Sequence, residues 1–164
     1  MLTSPLFRIL DAIYGLIVKV GSNLQSLLLL YLRITWGHQL FMTGIADLKN
    51  IDPLIAALRN FSFPAPVFHA HEFAIVETVG GILLFFGLMS RLAAIPTFLV
   101  MLGILTTMHG APLSDLRFVT DPLILTIQRP YPFMLTALIV FIFGPGRISI
   151  DALIKRWLEK QFRY

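Results

Sequence analysis

Long apolar stretches separated by short polar segments form the main pattern along this chain of 164 residues. A helix needs about 20 mostly apolar residues to cross a bilayer. Three stretches, residues 24–48, 67–89 and 92–109, reach or approach that length, and a fourth, residues 131–146, has only 16 residues. The pattern therefore predicts an all-α protein, a polytopic membrane four-helix bundle in a single domain.

An amphipathic segment precedes the first predicted span. Polar or small residues recur there at spacings of three and four, which line one side of a helix: Arg8, Asp11, Gly15 and Lys19. We therefore predict a helix over residues 5–20 that lies in the membrane interface. The alternative is an extension of the first span, against which the turn-forming sequence Gly21-Ser22-Asn23 argues.

A second amphipathic segment, residues 149–163, follows the fourth span. Ser149 is a typical helix N-cap. Apolar residues then follow the helical period, and basic residues occupy the other face: Ile150, Leu153, Ile154, Trp157, Leu158 and Phe162 against Lys155, Arg156, Lys160 and Arg163. This spacing predicts an interfacial basic helix with Trp157 at the level of the lipid headgroups.

The composition agrees with a membrane protein and excludes several classes of site. Hydrophobic residues make up 57% of the chain and charged residues 13%, whereas a soluble domain is about 25% charged. The sequence has no cysteine, which excludes disulfides, thiolate metal sites and cysteine-bound iron–sulfur clusters. No nucleic-acid-binding motif is present, so nucleic acid is not expected as a partner.

The basic residues predict the orientation of the spans, because cytoplasmic loops carry an excess of lysine and arginine. With both termini inside, eight basic residues lie on the cytoplasmic side: Arg8, Lys19, Arg91, Arg147, Lys155, Arg156, Lys160 and Arg163. Four lie outside: Lys49, Arg59, Arg117 and Arg129. We therefore expect both termini in the cytoplasm.

Ionisable residues inside the predicted spans are the candidate functional residues, because a charge at bilayer depth is costly and usually marks function. Glu77 is followed by Gly80 and Gly81, and such small residues permit close contact between helices. Arg33 and His38 lie in the first span. The alternatives are that Arg33 extends its side chain to the interface and that His38 makes an interhelical hydrogen bond.

The depths of Arg33 and Glu77 predict an ion pair between them. Counting at about 1.5 Å per residue places Arg33 roughly 12 Å and Glu77 roughly 18 Å from the same membrane face. We expect the two side chains to meet and form the polar centre of the bundle. His38 is the rival partner of Glu77, and His109 lies nearer the outer end.

Other polar residues at the span ends are secondary candidates. Glu72 and Thr106 add groups that can form hydrogen bonds near the polar centre. His69 and His71 form a His-x-His pair that is able to bind a divalent metal. The alternative is an ordinary surface pair of histidines.

Six segments stand in a characteristic order: Leu32-Arg33, Gly37-His38, Phe63-Pro64-Ala65-Pro66, Glu77 to Arg91, His109-Gly110 and Gly144 to Leu153. Together they resemble the DoxX family of small bacterial membrane proteins over residues 27–154. The resemblance implies a four-helix fold in the bacterial cytoplasmic (inner) membrane. It also implies an association with quinone-linked respiratory or sulfur oxidation and with membrane oxidoreductase complexes.

These observations support three hypotheses about function and leave open whether the protein is an enzyme. The first is a redox-linked membrane subunit that binds quinone or a similar hydrophobic carrier, because Arg33, His38, Glu77 and His109 supply hydrogen-bonding groups in apolar surroundings. The second is a non-enzymatic assembly, anchoring or cargo-binding component. The third is metal or haem binding through the histidines. The expected partners are the lipid bilayer and membrane or periplasmic redox proteins.

Overall fold

The structure is a computed structural model that describes residues 5–108 and 126–162, and every regular element in these ranges is a helix. The elements are α1 (Pro5–Leu32), a π-helical turn (Arg33–Gly37), α2 (His38–Lys49), α3 (Asp52–Asn60), α4 (Pro66–Phe86), α5 (Ser90–Met108), α6 (Pro130–Phe143) and α7 (Ile150–Gln161). The prediction of an all-α protein is confirmed. His109 and the loop that follows it lie outside the described residues.

The first helix does not end where the sequence indicated. α1 passes without a break through Gly21-Ser22-Asn23 and continues through the π-helical turn into α2. The predicted separation of residues 5–20 from the first span is therefore wrong. A glycine inside a helix costs only about 1 kcal/mol relative to alanine, and the Ser22 hydroxyl donates to the Val18 carbonyl at 2.8 Å. The location of residues 5–20 in the membrane interface stays a prediction.

Glycines set the distance between α2 and α4. A Cβ atom at Gly81 would lie 2.4 Å from the backbone nitrogen of Phe41, and one at Gly44 would lie 2.5 Å from the backbone nitrogen of Thr78. Both distances are too short for a real Cβ, so the two backbones touch directly at these positions. The prediction that the glycines after Glu77 permit close helix contact is confirmed.

The turn between α4 and α5 reverses the chain. Gly87 ends α4 in the left-handed conformation, with φ of 68°, which is an arrangement that favours glycine at a helix C-terminus. α5 then packs against α4 with Thr97 facing Gly80, where a Cβ atom would lie 2.4 Å from the Thr97 hydroxyl oxygen. α6 in turn packs against α5.

The predicted cap of the last helix is present. The Ser149 hydroxyl oxygen accepts a hydrogen bond from the Ala152 N–H at 3.1 Å, and α7 then runs for 12 residues. None of the α7 residues is buried, so its apolar side makes no close packing with the described part of the chain. That is the expected state of a helix whose apolar side lies in lipid, and its place at the membrane surface stays a prediction.

The buried core lies between α2, α4, α5 and α6, and α3 covers one end through Leu58. Two helical segments, Phe7–Lys49 and Pro66–Phe86, are long and apolar enough to cross a membrane. Shorter apolar helices occupy Ser90–Thr106 and Pro130–Phe143. The core therefore joins the two long apolar segments to the two shorter ones.

Candidate functional site

Glu77 is buried in the middle of this core. Only 6% of its surface is exposed, because Gly80 and Gly81, one turn further along α4, bring α5 and α2 close. Its Oε2 atom has no hydrogen-bond partner among the described residues. A buried polar atom without a partner costs roughly 1–3 kcal/mol, so this oxygen is a candidate contact for a ligand.

A second carboxyl group lies beside Glu77. Asp47, near the end of α2, lies close enough to the Glu77 side chain to interact with it electrostatically. Two carboxyl groups can form a hydrogen bond with each other only when one of them carries a proton. A pair of this kind is therefore able to share one proton.

Sequence reasoning misses Asp47, although the spacing contains the signal for it. Arg33, Gly37, Leu40 and Gly44 lie on one predicted face of the first span, and all four are buried. Asp47 follows Gly44 by three residues and therefore continues the same face. Because Gly44 contacts α4, a residue three positions later is also directed toward that helix.

Glu77 lines a cavity of about 760 Å³. Trp36 and Phe133 also line it, with their rings edge to face and their centroids 5.7 Å apart. The other lining residues are Gln39, Thr43, Leu54, Met101, Ile104, Thr126, Ile127, Gln128, Arg129, Pro130 and Pro132. A mostly apolar wall with a few polar groups is typical of a site for a small organic molecule.

Arg33 lies in a different polar cluster. Its side chain is 1% exposed, and the guanidinium donates to the Ile148 carbonyl and, at 3.4 Å, to the Leu29 carbonyl. It also lies against Gly87, where a Cβ atom would be 1.7 Å from Nη1. Gly87 is ten residues after Glu77, or about 15 Å along the helix axis. The predicted ion pair between Arg33 and Glu77 is therefore wrong.

Asp151 connects this second cluster to the turn between α4 and α5. Its carboxylate accepts hydrogen bonds from the Met89 N–H at 2.8 Å and from the Ser90 N–H and hydroxyl at 2.9 Å each. It also attracts the Arg33 guanidinium electrostatically. The Asp151 N–H donates to the Gly87 carbonyl at 2.9 Å. These contacts fix the start of α7 to the turn and give Arg33 a structural role.

The other residues predicted for the polar centre do not line the Glu77 cavity in the described part of the chain. His38 is exposed and faces Phe85, with ring centroids 6.4 Å apart, in a separate recess of about 240 Å³. The Thr106 hydroxyl donates to the Leu102 carbonyl of its own helix at 2.9 Å. The position of His109 is not described, so its part in the site stays a prediction.

The histidines predicted to bind metal lie at the opposite end of α4 from Gly87. His69 Nδ1 is 2.7 Å from Glu72 Oε2, and His71 Nδ1 is 2.8 Å from the Val67 carbonyl. Within the described ranges, no group of three or more histidine and acidic side chains is placed to hold a metal ion. A metal at His69 and His71 stays a prediction, which elemental analysis of the purified protein tests.

Comparison with known families adds to this geometry. The model of the DoxX family matches residues 28–110, slightly more than half of the chain. The chain belongs to the DoxX family. The matched region contains both Asp47 and Glu77, and it also contains Arg33. Family membership and the apolar helices together make this a membrane protein.

One curated relative covers most of the chain. It is a protein of Bacillus subtilis (strain 168) named "Putative oxidoreductase CatD", which is 23% identical over 125 residues. The match covers 76% of this chain and 85% of that protein. No solved structure matches the chain significantly.

Proposed function

We propose that this protein is a subunit of a redox-linked system in the bacterial inner membrane and binds a quinone, or a similar hydrophobic carrier, beside Glu77. The observation that carries the proposal is the unpaired Oε2 of a buried glutamate at the wall of a mostly apolar cavity. The name of the Bacillus relative, an oxidoreductase, supports the redox link.

A quinone headgroup suits the chemistry of this cavity. The ring is flat and apolar, and Trp36 and Phe133 offer aromatic surfaces against which it can pack. Its carbonyl oxygens accept hydrogen bonds, which the side-chain amides of Gln39 and Gln128 and a protonated Glu77 are able to donate. The volume of about 760 Å³ falls within the range of roughly 300–1,000 Å³ found for small-molecule pockets.

The pair of carboxyl groups gives this site a means of moving protons. Reduction of a quinone to a quinol consumes two electrons and two protons. In our proposal a protonated Glu77 gives its proton to a quinone oxygen and regains one through Asp47, which is less buried than Glu77. The electrons come from a redox partner protein in the membrane or the periplasm.

We further propose that the chain crosses the membrane four times, through the long first helix, α4, α5 and α6, with both termini in the cytoplasm. The basic residues support this orientation. α6 has 14 residues, or about 21 Å at about 1.5 Å per residue. This length is below the hydrocarbon thickness of about 30 Å, so the proposed fourth crossing requires a locally thinner bilayer.

The exposure of α1 favours a second function, that of an assembly, anchoring or cargo-binding component. Every residue from 7 to 25 is exposed, and the large apolar side chains among them cover the side of the helix opposite Arg8, Asp11, Gly15 and Lys19. The segment Phe7–Lys49 has 43 residues, or about 64 Å, twice the hydrocarbon thickness of about 30 Å. Cross-linking from Tyr14 in intact membranes tests this alternative by identifying a protein held against α1.

The two tryptophans make quinone binding measurable. Trp36 lines the cavity, whereas Trp157 is exposed on α7. In a Trp157→Phe background, we expect a short-chain ubiquinone to quench Trp36 fluorescence in a saturable manner in detergent. Glu77→Leu should weaken this binding about tenfold or more, a loss of about 1.4 kcal/mol, because leucine cannot donate the hydrogen bond that the carboxyl group supplies.

Glu72→Leu is the matched control, since Glu72 lies on the same helix, is exposed and contacts His69 instead of the cavity. Its binding curve should equal that of the parent protein. Quenching that does not saturate would contradict the quinone proposal, and so would an equal change in Glu77→Leu and Glu72→Leu.

A further inference from the structure

A second large cavity lies where α1, the start of α5, the loop after α6 and α7 meet. Its volume is about 780 Å³. Four basic side chains line it together with two acidic ones: Arg91, Arg147, Lys155 and Arg156 with Asp151 and Glu159. Positive charge therefore exceeds negative charge around this cavity.

The two acidic groups already have partners. Both oxygens of Asp151 accept hydrogen bonds from Met89 and Ser90 in the turn between α4 and α5. Glu159 pairs with Lys155 at 3.8 Å. Among the described residues, neither carboxylate forms an ion pair with Arg91, Arg147 or Arg156.

The three arginines contact only neutral acceptors in the described part of the chain. Arg91 donates to the Ile142 carbonyl at 3.4 Å, Arg147 to the Asn23 side-chain oxygen at 3.2 Å, and Arg156 to the Arg147 carbonyl at 3.5 Å. These are long hydrogen bonds, and none of the three guanidinium groups forms an ion pair with a described carboxylate. A cavity surrounded by unneutralised guanidinium groups is suited to a phosphate group.

The glycines of the loop after α6 leave room for this arrangement. Gly144 and Gly146 have φ of 79° and 83°, a conformation that favours glycine. A Cβ atom at Gly144 would lie 3.5 Å from Arg91 Nη2, and one at Gly146 would lie 3.4 Å from Leu29 Cβ. The loop therefore lies close to both Arg91 and α1 and closes one side of the cavity.

Apolar surface next to the cavity distinguishes a lipid from a free anion as its ligand. Leu29 and Phe143 line the cavity itself. Phe143 and the adjacent Ile142 are 58% and 56% exposed, at the end of the apolar helix α6. This position, at the end of an apolar helix beside the basic α7, matches the level of lipid headgroups.

We propose that this cavity binds the phosphate group of an anionic phospholipid. Arg91, Arg147 and Arg156 donate charge-assisted hydrogen bonds to the phosphate oxygens, and the acyl chains lie along Phe143 and α1. Basic pockets between membrane helices bind anionic headgroups by the same combination of charge and apolar contact. The site is separate from the Glu77 cavity and does not depend on its function.

Calorimetric titration of the full chain in detergent tests the proposal. The probes are dihexanoyl phosphatidylglycerol, dihexanoyl phosphatidylcholine and inorganic phosphate. We expect phosphatidylglycerol to bind at least tenfold more tightly than either of the others. Arg147→Gln and Arg156→Gln should each weaken its binding about tenfold, whereas Arg147→Lys should retain part of the affinity.

Lys160→Gln is the matched control, because Lys160 is a basic residue of α7 that does not line this cavity. Its affinity for phosphatidylglycerol should stay within about twofold of the parent value, since an exposed charge that forms no direct hydrogen bond with the phosphate contributes little. Circular dichroism and size-exclusion profiles show whether each variant keeps its fold.

Three results would overturn the proposal. Equal binding of phosphatidylcholine would show that the headgroup charge is not recognised. Equal binding of inorganic phosphate would identify a site for free anions. An equal loss in Lys160→Gln and Arg156→Gln would show general attraction to a basic surface without a defined site.

Discussion

α2 and α4 touch backbone to backbone at Gly81, and one added methyl group tests this contact. A Cβ atom there would lie 2.4 Å from the backbone nitrogen and 2.8 Å from the Cα of Phe41. Backbone atoms cannot rotate away as the end of a side chain can. Since ordinary contacts begin at 3.4 Å, Gly81→Ala has to separate the two helices by roughly 1 Å.

The cost of Gly81→Ala follows from two opposing effects. Overpacking of a close contact costs about 1–3 kcal/mol, and a contact between rigid backbones belongs at the upper end of that range. The higher helix propensity of alanine returns about 1 kcal/mol. We therefore expect the free energy of unfolding to fall by about 2 kcal/mol.

Unfolding in mild detergent, followed by circular dichroism, measures this change. Gly21→Ala is the matched control, because Gly21 also lies inside a helix but has no atom within 4 Å of its added Cβ. It should keep or raise the stability. A Gly81→Ala variant as stable as the parent protein would contradict the direct backbone contact between Gly81 of α4 and Phe41 of α2.

Three further predictions concern topology and two carboxyl contacts. Reporter fusions after Asn60 should indicate the periplasm and fusions after Tyr164 the cytoplasm; an outside signal at Tyr164 would overturn the orientation. Asp151→Ala should lower the free energy of unfolding in detergent by about 2 kcal/mol, because the turn between α4 and α5 loses its acceptor; an unchanged unfolding curve would contradict this role. Asp47→Asn and Glu77→Gln should deviate from additivity by at least about 0.5 kcal/mol in a double-mutant cycle of unfolding; additive effects would show that the two carboxyl groups do not interact.

The sequence predicts well those features that depend on local pattern. Ser149 caps α7 because its side-chain oxygen needs only the N–H three residues further along the chain. α4 and α6 both begin at a proline and end before a glycine: Pro66 and Gly87 for α4, and Pro130 and Gly144 for α6. Proline and glycine determine these boundaries, and their backbone constraints act over one or two residues.

The sequence does not predict two kinds of feature. One depends on contacts with a distant segment of the chain, and the other depends on the residue at which a helix begins. The calculated depth of Arg33 assumes that the first span starts near residue 25, but α1 is continuous and has no such start. The guanidinium instead lies beside Gly87, where α4 ends, because the segment from Ile148 to Asp151 supplies its acceptor and its counter-charge. The periodicity of residues within the first span does not indicate that Arg33 contacts this later segment of the chain.

Arg33 and Glu77 are both buried but have different neighbours. The Nε and Nη2 groups of Arg33 donate hydrogen bonds to backbone carbonyls, and the side chain lies near Asp151. These contacts are structural. Glu77 has another titratable side chain, Asp47, as its neighbour and lines a cavity, and its buried Oε2 atom has no hydrogen-bond partner among the described residues. The glycine contacts fix α2 against α4, and Arg33 lies beside Gly87, about 15 Å along the helix axis from Glu77.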